Sequence, residues 1–200
     1  MINDYIIENY IMGEPILVEE IPASSKNYVR QRLKKMVDDG VLARFCPGVF
    51  YLQNDNSEFM FDEYIKKKYL MDEGSVVGFL CGDNLLFAEG LITKMPNSVD
   101  VCTNKATTYQ RRIEVQGHKI NIFKPAIEIT EDNFEEIRFL SLVLALETSC
   151  DINDKKTKLF VAEYIKKHNV NLEIIRDMLP FCLDKVFKDL YLLGVLDICL

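Results

Sequence analysis

Residues 24–52 read SSKNYVRQRLKKMVDDGVLARFCPGVFYL, and the N-terminal quarter of the chain is built around this stretch. Ser24 or Ser25 is placed to cap a helix, because a short side-chain oxygen accepts from the unpaired N–H groups of the first turn. Gly40 stops that helix, since helices commonly end at a residue that reaches positive φ at low cost. Val29, Leu33, Met36 and Val37 follow one another at i, i+4, i+7 and i+8, which predicts one inward-facing stripe. Lys26, Arg30 and Lys34 repeat every four residues on a different face, with Asn27 and Gln31 beside them. Beyond the helix, VLARF and VFYL flank a Pro47-Gly48 turn, which predicts a β-hairpin carrying Arg44.

Upstream, the apolar spacing of Ile2, Tyr5, Ile6 and Tyr10 predicts a first helix that ends at Gly13. Residues 15–18 read as a short extended piece, followed by a turn of helix closing at Ile21-Pro22. Helix, short strand, helix, basic helix and hairpin is the order of a winged helix-turn-helix. Such a helix offers hydrogen-bonding side chains to base edges in a groove about 12 Å wide, while cations on helix and wing displace counterions from phosphates. The expected DNA-binding residues are Lys26, Asn27, Arg30, Gln31 and Lys34 on the helix and Arg44 on the wing. Two other readings stay open for the same residues: a docking module for proteins, or a plain solvated face.

Charge sharpens the point. The chain of 200 residues carries a net charge of −7, which argues against indiscriminate coating of nucleic acid. Residues 22–53, however, hold Lys26, Arg30, Arg32, Lys34, Lys35 and Arg44 against Asp38 and Asp39, a net of +4. A single compact basic segment stands in an acidic protein. Asp4 and Glu8 occupy the place where a secretory signal would carry cations. The most apolar run, Phe139 to Leu146, is far shorter than the roughly 20 residues that span a bilayer. A cytoplasmic protein without a membrane partner is expected.

Residues 53–57, polar throughout, read as a linker. The expected organisation is a winged domain over 1–53 and a second domain over 58–200, mixed over 58–130 and helical over 131–200; the fold class is α+β. Expected in the mixed part are a helix over 59–71, a strand over 76–80, a short helix over 83–89, a strand over 98–103 and a hairpin turning at Gln116-Gly117, with residues 126–129 as a candidate short strand. Asp132 and Glu135 are spaced as a capping box for a buried helix over 134–147, and three further helices follow over 155–168, 172–179 and 181–193. The tail echoes the basic helix: aligned on the shared Gly-Val-Leu, Leu183, Phe187 and Leu190 fall where Val29, Leu33 and Met36 fall. That helix has no net charge and is not expected to touch DNA.

Catalytic chemistry finds little support. Asp100 on one strand and Glu114 on another invite a nuclease reading, but Glu114-Val115-Gln116 lacks the lysine of a metal-assisted E-x-K site. No phosphate-binding glycine loop is present. The six cysteines form no CxxC, and His118 and His168 lie apart from any cysteine pair, so free thiols are expected (buried at Cys81, Cys102, Cys182 and Cys199) and no metal or cofactor. Lys105, Arg111 and Arg112 form a candidate second basic patch, unless one arginine simply pairs with Glu114.

Residues 28–52 resemble the N-terminal winged helix of AbiE-type antitoxins, the AbiEi family of type IV toxin–antitoxin systems. The shared pattern is L-x-x-M/L-V-x-x-G, a short basic strand and a G-V/L-Y/F-Y return. GFLCGDNLLFAEGLITKMPNSVDVCTNKATTYQRR, residues 78–112, resembles the central region of the same family in the turn and helix of 82–86, the loop of 90–96, the strand of 99–103 and the Arg111-Arg112 pair. The likeness covers roughly residues 25–130. It implies an autorepressing antitoxin that binds double-stranded operator DNA and is paired in function with a nucleotidyltransferase-like toxin; from the residues themselves, no enzyme is expected. An inverted-repeat operator bound by a homodimer is expected, because a single small domain covers few base pairs.

Overall fold

The computed structural model describes residues 2–196. The protein is a mixed α+β chain that divides into two compact units, residues 1–68 with 115–117, and residues 69–114 with 118–200. Residues 53–57 form a loop, as their polarity predicts, but the chain as far as Lys68 packs with the first unit.

In the first unit, α1 (Ile2–Asn9) is followed by the two-residue strand β1 (Ile16–Leu17), then α2 (Lys26–Asp38), β2 (Leu42–Cys46) and β3 (Val49–Leu52). The helix α1 ends at Asn9, short of Gly13. The expected turn of helix before Pro22 is only a turn, with Glu20 N donating to Leu17 O at 3.1 Å. Four residues between a strand and a proline leave little room for i to i+4 bonding to propagate. The strands pair antiparallel in the order β1-β3-β2. Ile6, Val29, Leu33 and Met36 from the helices close over Ile16, Leu42, Phe50 and Leu52 from the sheet, all fully or nearly fully buried.

Alternation along a strand sends neighbouring side chains to opposite faces, so Tyr51 lies on the far side of the sheet from Phe50. Phe45, next to the Arg44 that pairs with Phe50, lies on that same far side. Both meet Phe59, which precedes α3 (Phe61–Ile65), while Tyr64 from α3 packs on Phe45 with ring centroids 5.5 Å apart. The helix predicted for 59–71 is thus a short α-helix continued by a π-helical turn over Lys66–Leu70.

The second unit contains a small hairpin, β4 (Met71–Asp72) with β5 (Ser75–Val76), and a four-stranded sheet of β6 (Gly78–Leu80), β7 (Val99–Thr103), β8 (Gln110–Val115) and β9 (His118–Phe123) in the order β6-β7-β9-β8. The run predicted as one strand over 76–80 is therefore two. β6 is antiparallel to β7, and β7 is parallel to β9. Gln116 and Gly117 both take positive φ, as a two-residue hairpin turn demands. A Cβ on Gly78 would stand 2.6 Å from Tyr69 O and 2.7 Å from Cys102 O, so only glycine fits where β6 crosses these backbones. Residues 126–129 form no strand.

Helix α4 (Gly82–Ala88) links β6 to β7, and α5 (Phe134–Ser149) packs against α4 and against α7 (Leu172–Met178) and α8 (Asp184–Leu192). Between them run α6 (Lys155–Lys167) and a 3-10 turn over Leu179–Phe181. Phe139, Leu142, Val143 and Leu146 of α5 are almost wholly buried, with Tyr164 stacked on Phe139. The expected capping box is not formed. Asn133 is the cap residue of α5, and its side chain is turned back into the preceding loop, accepting from Thr130 N at 2.8 Å.

The echo between the tail and α2 fails in the same way. Gly40 and Gly194 both adopt positive φ, and in each case the following valine donates back to the helix, Val41 to Met36 O and Val195 to Leu190 O. Yet Leu183 and Phe187 are exposed, whereas Val29 and Leu33 are fully buried. What repeats is helix-stop chemistry alone. Five free cysteines lie among the described residues: Cys81 and Cys102 are buried as expected, while Cys182, like Cys46 and Cys150, is only partly so, and Cys199 lies outside the described residues. Burial raises the Cys102 thiol to about 12.

Candidate nucleic-acid interface

The helix α2 is fixed at both ends. Ser25 Oγ accepts from Tyr28 N at 3.4 Å, so of the two candidate caps it is the second serine that serves. At the other end Gly40 donates to Val37 O at 3.0 Å and Val41 to Met36 O at 2.9 Å, the paired bonds of a Schellman stop. With its buried stripe set by Val29, Leu33 and Met36, at about 100° per residue the opposite face is set too. Asn27, Gln31, Lys34 and Asp38 lie along its centre, and all are exposed.

The remaining side chains fall to either flank. Arg30 lies on one side, its Nη1 donating to Asn27 Oδ1 at 3.2 Å. Tyr28, about half exposed, and Lys35 lie on the other. Neither was among the expected contact residues. The four-residue repeat of Lys26, Arg30 and Lys34 draws attention to one flank, although the position of the buried stripe identifies both.

Lys26 differs from its neighbours. Its Nζ donates to Glu19 O at 3.0 Å and to Ile21 O at 2.8 Å, so it closes the turn ahead of α2. On the wheel it stands close to the buried stripe, which is why it meets the turn and not the open face. Arg32 is similarly engaged: its Nη2 donates to Asn3 Oδ1 at 2.9 Å and ties α2 to α1.

Arg44 faces Phe50 across the β2–β3 pair. Residues directly opposite in an antiparallel pair share a face, so Arg44 is on the side of the sheet that α2 covers, and its side chain is exposed. Its Nε donates to Cys46 O at 3.4 Å, beside the Pro47-Gly48 tip where Gly48 takes positive φ. Asn27, Arg30, Gln31, Lys34, Lys35 and Arg44 are thus open to solvent in this unit. The two acids at the C-terminal end of α2, Asp38 and Asp39, bound the cationic surface there.

The members of the candidate second basic patch sit on different segments of the chain. Lys105 donates to Met71 O and pairs with Asp72 Oδ1 at 3.1 Å, which ties it to the β4–β5 hairpin. Arg111 and Arg112 are exposed on β8, the outer strand of its sheet, and β9 separates that strand from β7. Neither forms an ion pair with Glu114 among the described residues. Cations on an outer strand also discourage edge-to-edge pairing with another chain.

Asp100 and Glu114 are likewise kept apart, by the same intervening β9. Asp100 Oδ1 accepts from Asn121 Nδ2 at 2.6 Å and from Ser98 Oγ at 3.1 Å, while Glu114 is exposed on the outer strand. No group of three His, Cys, Asp or Glu side chains that could hold a metal ion occurs among the described residues. No described helix is long and apolar enough to cross a membrane.

No protein-family model matches the chain, and no curated protein matches it.

Proposed function

We propose that the N-terminal unit is a winged helix-turn-helix in which α2 enters the DNA major groove and the β2–β3 turn braces the backbone. The chain then acts as a sequence-specific transcriptional regulator. The observation that carries this reading is the open face of α2, where Asn27, Arg30, Gln31, Lys34 and Lys35 are presented together in a protein of net charge −7. Amide side chains at the centre of a helix face can read base edges, and flanking cations can meet phosphates on both sides of the groove. Arg44, on the side of the sheet that carries α2, supplies a further phosphate contact from the wing.

The resemblance of residues 25–130 to AbiE-type antitoxins extends the proposal to an autorepressor paired with a nucleotidyltransferase-like toxin. Two copies on an inverted repeat would place their α2 helices about one helical turn apart, roughly 34 Å.

Fluorescence anisotropy on the DNA immediately upstream of the coding sequence, at two salt concentrations, tests the reading. Sequence-preferring binding is expected, weakening by about 0.9 log units per log of salt for each phosphate contact. Absence of binding at low salt by the folded protein would overturn it. A protein-docking role is the second reading, and one observation favours it: Leu183, Phe187 and Tyr191 form an exposed apolar row at four-residue spacing along α8.

A further inference from the structure

The second unit contains an open-sided cavity of about 530 Å³ between its sheet and α5, bordered by the segment that joins α7 to α8. That volume falls within the range of small-molecule sites, roughly 300–1,000 Å³. Its floor follows from strand register. Phe79 pairs with Cys102, and Cys102 with Phe123, while Asp100 pairs with Asn121 two residues along the parallel β7–β9 ladder. Two residues along a strand return to the same face. One face of the sheet therefore carries an apolar row, Phe79–Cys102–Phe123, and two residues away a polar row in which Asp100 lies between Cys81 and Asn121.

The roof is the face of α5 that carries Ile137, Ser141, Leu144 and Thr148, at i, i+4, i+7 and i+11. Ser141 is the one hydroxyl within the apolar run Phe139–Leu146 of α5, and it lines the cavity. The cavity is accordingly apolar along most of its length, with its acid at one end.

Asp100 is held in place and only partly satisfied. Its Oδ1 accepts from both Asn121 and Ser98, and its backbone N–H donates to Asn84 Oδ1 at 2.8 Å. Oδ2 lies beside Gly82, at 3.0 Å from where a Cβ would stand, and Gly82 has positive φ. A glycine there has no Cβ to crowd that oxygen. Asp100 is in no ion pair among the described residues, and the cation that lines the cavity, Lys124, is exposed at the Phe123 end.

We infer that this cavity is a binding site for a small apolar amine, its ammonium group on Asp100 Oδ2 and its hydrocarbon body along Phe79, Cys102 and Leu144. A carboxylate with a free lone pair at the end of an apolar channel favours a cationic donor over a neutral one, and repels an anion. The fixed hydrogen bonds on Oδ1 orient the carboxylate before the ligand arrives. This site is independent of the DNA-binding reading, since it uses no residue of the first unit.

The test uses the full chain and three probes of one shape: 4-phenylbutylamine, 4-phenylbutanol and 4-phenylbutyrate, titrated by calorimetry and by 1H–15N NMR. The amine is expected to bind saturably with a Kd of about 1 mM or tighter, shifting amide signals of β7 and α5. The alcohol should bind at least about tenfold more weakly, a loss typical of one charge-assisted hydrogen bond, and the acid not measurably. Asp100→Asn, which keeps the size of the side chain, should bring the amine down to the level of the alcohol. Equal binding of all three probes, absence of amine binding to the folded protein, or an Asp100→Asn variant with unchanged amine affinity would each overturn the assignment. The probe series on the unmutated chain decides the matter even if the variant does not fold.

Discussion

The rings of Phe45 and Phe59 stack face to face, with centroids 3.8 Å apart and planes 10° from parallel. One belongs to the β2 strand and the other to the segment after the polar loop of residues 53–57, so this pair holds that segment against the back of the N-terminal sheet. It explains why a stretch that reads as a linker ends inside a compact unit.

Phe59→Ala should therefore destabilise the first unit by about 2–3 kcal/mol, the cost of a partly buried aromatic together with its stacking partner. Urea unfolding followed by tyrosine fluorescence measures it. A change below about 0.5 kcal/mol would mean that the stack contributes only surface cover.

The two lysines at the ends of the basic repeat should separate cleanly. Lys34 is open on the central face of α2, so Lys34→Ala should lower the salt slope of DNA binding by about 0.9 with little effect on stability. Lys26 closes the turn through Glu19 O and Ile21 O, so Lys26→Ala should cost about 1 kcal/mol of stability and leave most of that slope in place. Equal slopes for both variants would show that Lys26 also reaches phosphate.

Glu89 is the hub of an ionic cluster in the second unit. Its carboxylate, 6% exposed, pairs with Arg138, with Lys167 Nζ at 2.8 Å and with His168 Nε2 at 3.2 Å. Burial opposes its ionisation, but the hydrogen bonds from Lys167 and His168 and the charge of Arg138 prevail and hold its pKa below the usual glutamate value of 4.5. A depressed acid stabilises the fold above its unfolded pKa, and the contribution is lost as pH falls through the folded one. Glu89→Gln should thus cost about 3 kcal/mol at pH 7, and the gap from the unmutated protein should narrow below about pH 4.5. A gap that stays constant from pH 7 to pH 3 would contradict the ionic account.

Asp189 on α8 has the opposite sign. It is 1% exposed, and its Oδ2 has no hydrogen-bond partner. Burial, aided by the nearby charge of Glu147, raises its pKa. An acid whose folded pKa is raised opposes folding above that pKa, and the penalty disappears as pH falls toward the unfolded value. Asp189→Asn should raise stability by about 1 kcal/mol at pH 7, with the gain vanishing near pH 4. Thermal unfolding at the two pH values checks both the gain and its disappearance; a destabilised variant at pH 7 would show that the carboxylate has a compensating role.

Local pattern alone determined much of this protein. The 3.6-residue spacing of Val29, Leu33 and Met36, the Ser25 cap and the Gly40 stop define α2, because helix periodicity and end chemistry are properties of neighbouring residues. The Pro47-Gly48 and Gln116-Gly117 turns were legible for the same reason, as was the compact basic segment in an acidic chain. The exposed flank of Tyr28 and Lys35 was equally present in that spacing.

Tertiary structure decided what depends on residues far apart in the chain. Lys26 and Lys34 look alike in sequence, but only the folded turn at Glu19 and Ile21 gives Lys26 its two carbonyl partners. Phe45 could not be matched to Phe59 from spacing, because the stack joins β2 to a segment beyond the polar loop and forms only when that segment folds back on the sheet. Leu183 and Phe187 share the pattern of α2 yet remain exposed, since burial depends on what packs against a helix and not on its own period. Nor could the order β6-β7-β9-β8 be read locally, and it is this order that separates Asp100 from Glu114 and joins Asp100 to Asn121. Strand order and register arise from long-range pairing, whose free energy comes from side chains that meet only once the sheet has closed.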